Sequence, residues 1–396
     1  MAQVNTTVGD LPGNRRKMTT AYHDLVEQGA EIVVFPAFVV CGYPPLDLLF
    51  KIRFVDDTVH SLESFAGETG PVPAVAGYVA HNRTGKGRSF FNAAAWCRNG
   101  TVEKTTCKTL LPTYDVFDED RYFEPAERPA VIDFEGKRIG LTICEDIWIH
   151  PEVNTSRRYP VDPVESLAGE NLDLLLNLSA SPWHHGKADL RQNLVCDAAR
   201  KCGCPVVYCN AIGGNDELIF DGHSIATDAR GDIRVGLPGF REAVVAADLE
   251  AGRPAIDPAF EQEDLRDIFD ALQLGLRDYV TKTGFKRVLL GLSGGIDSSV
   301  TACIATAALG KDNVMGISNP SRISSRHSRT DAARLAENLG IEFASLPIAD
   351  LVEAADRTLD PLFRGTEPGI AEENIQARMR GMLWMALSNK FGHLVL

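Results

Sequence analysis

Two stretches of this chain carry side chains whose types and spacing can do chemistry. The first is Ser293-Gly294-Gly295-Ile296-Asp297-Ser298-Ser299, set between an apolar run ending at Gly291-Leu292 and a segment of helical character reaching Leu309. Two glycines let the backbone turn with φ > 0 and expose consecutive N–H groups, which together make an anion-binding nest. A helix starting there adds partial positive charge, and Ser293, Ser298 and Ser299 offer hydroxyl donors, so pyrophosphate is the natural guest. The loop lacks the lysine of G-x-x-x-x-G-K-[ST] and is therefore not built for γ-phosphoryl transfer. Asp297 would repel a phosphate unless a divalent cation bridged the two, which assigns it to Mg²⁺. The plain alternative is a Gly-rich turn whose serines cap a helix.

The second stretch is Ile143-Cys144-Glu145-Asp146-Ile147-Trp148, with the cysteine directly after an apolar strand, where active-site groups gather. A single buried cysteine is more often inert packing. Three polar segments raise its standing: Lys108 with Tyr114 to Phe123 behind it, Asn177 to Lys187, and the loop Asn215 to Gly222. Cys202 and Cys204, two apart near a strand, read as packing, because a metal site would want wider partners.

These residues need a scaffold. Apolar runs at 30–36, 74–79, 139–143, 172–178 and 206–208, bounded by Gly, Pro and Asn, predict strands covered on both faces. Asn92 to Trp96, Asn99-Gly100 and Val102 onward predict a hairpin. Around residues 248–260 periodicity fades into a linker, after which Leu265, Ile268, Phe269, Leu272 and Leu276 recur at helical spacing. A strand at 287–292, a helix from about 298 to 309 and a strand at 314–318 form a βαβ unit that opens a second α/β domain.

Bulk properties narrow the class. The chain has 396 residues, enough for two domains, and a formal net charge of -14, which disfavours nucleic acid and anionic membrane. No basic-then-apolar leader and no run of membrane-spanning length is visible. Nine scattered cysteines, none spaced C-x-x-C, read as reduced thiols of a cytoplasmic protein.

The S-G-G-x-D-S loop resembles that of the ATP pyrophosphatases. Asn319 to Ser328, Glu372 to Gly381 and Leu387 to Gly392 are similar to the NAD synthetase versions. Residues 1–250 resemble a nitrilase-type glutaminase domain, so the whole is similar to the glutamine-dependent NAD synthetase family. The fold implied is a nitrilase-like α-β-β-α sandwich over 1–250, a linker at 251–263, and an incomplete doubly wound parallel α/β domain over 264–396. Glutamine, ATP and deamido-NAD are the implied substrates, with Mg²⁺ beside ATP, and a homo-oligomer is expected.

Residue by residue, the resemblance makes Cys144 the nucleophile and Lys108 the oxyanion-stabilising cation, and places glutamine at Tyr114, Ser181 and Lys187. It gives Gly291 to Ser299 to ATP and Asn374 to deamido-NAD. The family's general-base Glu follows Phe-Pro, but here Phe35-Pro36 is followed by Ala37. Glu119 is then the expected substitute carboxylate, with His184 and His185 as alternative bases or simply a solvated loop pair. The ends of the sequence read as clipped, so the chain alone is expected to make no NAD. A regulatory subunit without turnover and a stand-alone amidase are the rival readings.

Overall fold

Runs of Val, Ala, Ile and Leu become strands that bury side chains on both faces, and strand Ala74–His81 sends alternate residues into two different cores. The computed structural model describes every residue but 151, 154–158, 252, 262, 323–325 and 368. The chain divides into Met1–Ala271 and Leu272–Leu396.

In the first unit, strands Val33–Val34, Ala74–His81, Phe90–Arg98 and Thr101–Cys107 lie in that order in one sheet. A seven-stranded sheet carries Lys137–Ile143, Leu174–Ser179 and Val206–Asn210 as its parallel centre. The two sheets face each other across a core in which Val75 and Trp96 meet Leu141 and Leu176. Helices Leu11–Glu27 and Phe54–Ala66 cover one outer face, and Pro163–Ala168 and Lys187–Cys202 cover the other. This is the expected α-β-β-α sandwich. The hairpin turns at Asn99 and Gly100, with φ of 51° and 83°, the left-handed pair a two-residue turn requires.

Two expectations need correction. The strand read at 30–36 pairs only over Val33–Val34, because Pro36 has no N–H to donate and the chain then leaves the sheet, Ala37 N–H reaching Ser179 O at 3.3 Å. The linker is not free of structure: Ala255–Ile256 pairs with Ile233–Gly236, and Phe260 is buried in the core behind it. A chain division at Ala271 falls inside helix Asp264–Lys282.

In the second unit, four parallel strands run Glu342–Ser345, Val314–Ser318, Val288–Gly291, Leu394–Val395 across the sheet. In chain order that is 3-2-1-4, so the order reverses beside Val288–Gly291, and ligands of such sheets bind outside the strand ends at this point. Helix Ile296–Leu309 starts two residues before the expected Ser298, with Gly295 at its cap. Helix Ile370–Phe391 lies largely at the surface. It has no buried residue, and Met382, Met385 and Phe391 are exposed, while Trp384 lies over Gly291 of the sheet.

Gly77 explains how the Pro36–Phe38 segment seats. A Cβ there would lie 2.4 Å from Phe38 N and 2.5 Å from Ala37 Cα, backbone atoms that cannot swing aside. Gly77→Ala should therefore destabilise the first unit by about 1–3 kcal/mol, the usual cost of overpacking. Thermal melting reads this, and an unchanged melting temperature would show that the segment is loosely seated.

Candidate active sites

Cys144 is the first residue after strand Lys137–Ile143 and begins the 3-10 turn Cys144–Ile147. Its φ of 48° is left-handed, an unusual conformation for a residue with a side chain. Such a strained elbow at a strand end presents a nucleophile in one fixed direction. The elbow is held by Asp146, buried, which accepts from the N–H groups of Ile143, Thr109 and Leu110 at 2.8–3.0 Å. Burial pushes the Asp146 carboxyl up to about 7 against the pull of those donors. One side chain thus ties the cysteine turn to the Lys108 segment.

Lys108 is fully buried, and its Nζ donates to Glu119 at 2.7 Å. Glu119 also accepts from Tyr43 Oη at 3.1 Å and Asn92 Nδ2 at 3.2 Å. Burial works against the Lys108 ammonium, but Glu119, with Cys144 and Glu145, together more than offset it and the group is held protonated above its ordinary range. Burial also pushes the Cys144 thiol up; Lys108 pulls it back, and Glu119 and Glu145 add to the rise. The structure therefore brings Cys144, Lys108 and Glu119 into one electrostatic unit. Ala37 shares the same buried apolar cluster as Cys144 and brings only a methyl to it.

The residues expected to take glutamine lie around this elbow. Tyr114 Oη donates to Glu145 at 2.8 Å, and Tyr159 Oη donates to the same oxygen at 3.0 Å. Ser181 is buried after strand Leu174–Ser179, its N–H on Asn210 Oδ1 at 2.9 Å. Lys187 opens helix Lys187–Cys202, donates to Pro182 O at 2.6 Å and lies 4.8 Å from the centre of the Trp148 ring. His184 and His185 are exposed, His185 beside Asp264 at 3.3 Å, as a solvated pair. Cys202 and Cys204 are buried packing residues.

In the second unit the Ser293–Ser299 loop closes on itself. Ser293 Oγ accepts from Gly295 N–H at 3.2 Å and lies 3.1 Å from Ser298 Oγ, while Ser299 Oγ donates to Gly295 O at 2.8 Å. Only Gly294 uses the left-handed region, at 83°; Gly295 has φ of -84°, so a single glycine makes the turn. Gly291, Leu292 and Ser293 border a cavity of about 170 Å³, with Arg329, Arg380 and Trp384 opposite. Asn319 organises it, accepting from Trp384 Nε1 at 2.6 Å and, through its carbonyl, from Arg380 Nε at 3.3 Å. Ile296 and Asp297 are exposed at the helix start. Asn374 stands exposed earlier on the helix that carries Arg380 and Trp384, and it is those two that reach the cavity. Ile323, Ser324 and Ser325 of the expected dinucleotide motif lie outside the described residues.

Asp146, Tyr43, Asn92, Asn210 and Trp384 are the parts that sequence reasoning missed. Their partners are distant backbone groups or side chains, so spacing carries no signal; only the position of Asp146, two after the cysteine, was visible.

With this geometry in hand, comparison with known proteins is direct. Residues 1–254 match the carbon-nitrogen hydrolase family and residues 268–396 the NAD synthase family. A glutamine-dependent NAD(+) synthetase of Synechocystis sp. is 41% identical, over 100% of this chain and 72% of that protein. One of Thermotoga maritima is 40% identical, over 100% of this chain and 73% of its own length. The structure of glutamine-dependent NAD+ synthetase from Acinetobacter baumannii in complex with adenosine diphosphate superposes with a TM-score of 0.88 at 34% identity, covering 100% of this chain and 73% of that one.

Asp146→Ala would leave three buried N–H donors without a partner, each costing about 1–3 kcal/mol. The variant should lose at least about 3 kcal/mol in denaturant unfolding. A loss below 1 kcal/mol would mean that the elbow is held by other contacts.

Proposed function

The chain belongs to the glutamine-dependent NAD(+) synthetase family, and on that premise we propose that Cys144, Lys108 and Glu119 hydrolyse its glutamine and that the Ser293–Ser299 loop activates its dinucleotide. Its function is the amidation of deamido-NAD to NAD with ATP, glutamine supplying the ammonia. The observation that carries the site assignment is the buried 2.7 Å Lys108–Glu119 pair acting on a cysteine set on a left-handed elbow.

In this reading Cys144 Sγ bonds to the carboxamide carbon of glutamine while Lys108 Nζ donates to the developing oxyanion. Ammonia leaves with the proton surrendered by the thiol, and water then hydrolyses the thioester. Tyr114, Ser181 and Lys187 hold the amino acid. The proton needs a carrier, which the Ala37 methyl cannot be. Glu119 takes that role weakly, since its oxygens already accept from Lys108, Tyr43 and Asn92.

In the second unit the loop N–H groups and hydroxyls of Gly291 to Ser299 hold the ATP phosphates, and Asn374 lies on the deamido-NAD side. The nicotinate carboxylate attacks the α-phosphorus, pyrophosphate leaves, and ammonia displaces AMP. Among the described residues no group of three or more His, Cys, Asp or Glu side chains is placed to hold a metal. Asp297, exposed at the helix start beside the loop, is the residue that would hold Mg²⁺, which would neutralise phosphate charge there. Exposed Met382, Met385 and Phe391 support a homo-oligomer. No helix among the described residues is long and apolar enough to cross a membrane.

A glutamine-like diazo-ketone should label Cys144, and Cys144→Ser should abolish labelling. Burial pushes the thiols of Cys41 and Cys97 up to about 12, so they stay silent; label spread over them would refute the assignment. Ala37→Glu should raise glutamine hydrolysis at least about tenfold, the low side of general-base effects. A folded variant with unchanged ammonia release would favour the second reading that Ala37 suggests, a unit that binds glutamine without turning it over.

A further inference from the structure

Behind Ser181 and Lys187 lies a buried charged cluster that the reaction above does not use. Arg191, one helical turn after Lys187, grips Asp221 with both terminal nitrogens, at 2.8 and 2.9 Å. His223 Nδ1 lies 2.7 Å from the same carboxylate. Arg191, Asp221 and His223 are each no more than 2% exposed. They meet at a sharp turn in which Gly222 and His223 have φ of 69° and 47°. The turn is fitted closely, since a Cβ on Gly239 would lie 2.1 Å from the His223 ring.

Through Asn210 and Arg191 the turn reaches two of the three expected glutamine-binding residues, Ser181 and Lys187. Gly222 O accepts from Asn210 Nδ2 at 2.9 Å, and the other end of that amide, Asn210 Oδ1, holds the Ser181 N–H. On the other side, Asp221 faces the guanidinium that adjoins Lys187. We propose that the turn Asp221–Gly222–His223 is the positioning element of the glutamine carboxylate site, seating Ser181 through Asn210 and cancelling the charge of Arg191 so that Lys187 stays cationic. The proposal rests on the reading of Ser181 and Lys187 as glutamine-binding residues.

The charges facing Lys187 give the direction. Burial, then Arg191 on its own helix, bring its ammonium down to about 8; Asp221, together with Cys144 and Glu145 of the elbow, pull the other way. Asp221 itself is held well below the usual carboxylate range: burial opposes this, and Arg191 and His223 overcome it. Neutralising Asp221 leaves the Arg191 charge uncancelled and moves Lys187 further down. A fall of about one unit cuts the charged fraction at pH 8 from about a half to about a tenth, roughly fivefold.

The test is calorimetric titration of L-glutamine into the full chain between pH 6.5 and 9, in a Cys144→Ser background so that glutamine is not consumed. The parent should bind evenly up to pH 7.5 and lose affinity as pH passes about 8. Asp221→Asn should bind within about twofold of the parent at pH 6.5 and about fivefold more weakly at pH 8, its fall-off displaced downward by about one unit. A loss by the same factor at every pH, or none, would overturn the inference, since a merely structural role has no pH signature. The double variant Arg191→Met, Asp221→Asn removes both charges and should return the fall-off to pH 8 or above. It decides the matter alone if the single variant does not fold, because a double variant with its fall-off still displaced downward contradicts the charge balance. Lys187→Met separates the two claims: undiminished glutamine binding there would overturn the glutamine-site reading itself.

Discussion

An ammonium with no exposure to water is the demand around which the first unit is organised. Lys108 is such a group, and a buried cation needs a partner of opposite charge and full hydrogen bonding. Glu119 answers it, Tyr43 and Asn92 fix Glu119, and Asp146 fastens the backbone just after Lys108 to the cysteine elbow. Removing one member of such a pair typically costs about 3–5 kcal/mol, so the arrangement is rigid as well as charged. The Cys144 thiol, the proposed nucleophile, answers to burial first and then to this pair. Burial keeps the thiol protonated above its ordinary range, Lys108 favours the thiolate, and Glu119 and Glu145 oppose it.

Ala37 makes sense against that background. The segment that carries it is wedged over Gly77 and tied to Ser179 O. Backbone placement is therefore fixed at the position where the family resemblance expects a carboxylate, and under the proposed roles the step affected is proton transfer, not glutamine placement. The same separation is visible at the opposite side of the elbow, where Asn210 holds the Ser181 N–H and Asp221 pairs with Arg191 beside Lys187.

How much of this was legible depended on the range over which residues interact. The strands, the Asn99-Gly100 turn and the strand–loop–helix holding Ser293 to Ser299 are local, and each appears where its pattern puts it. The strand at 30–36 shrank because Pro36 removes a donor, and 255–260 joined a sheet through parallel pairing that leaves no local period. Helix Ile370–Phe391 keeps Met382, Met385 and Phe391 exposed, since apolar composition does not say which face finds a partner. In the site, Cys144, Lys108 and Glu119 were readable by resemblance, while Asp146 and Asn210 act on backbone groups 29–37 residues away and leave no trace in spacing.

The most direct test of this electrostatic unit is the pH dependence of Cys144 alkylation by iodoacetamide, compared between the parent chain and Glu119→Gln. Glutamine at 119 keeps an acceptor for Lys108 but removes the negative charge that opposes the thiolate. The midpoint of alkylation should move to lower pH by about one unit or more, while glutamine hydrolysis falls because the remaining proton carrier is gone. A midpoint that stays in place or moves upward would mean that Lys108 and Glu119 do not govern the cysteine.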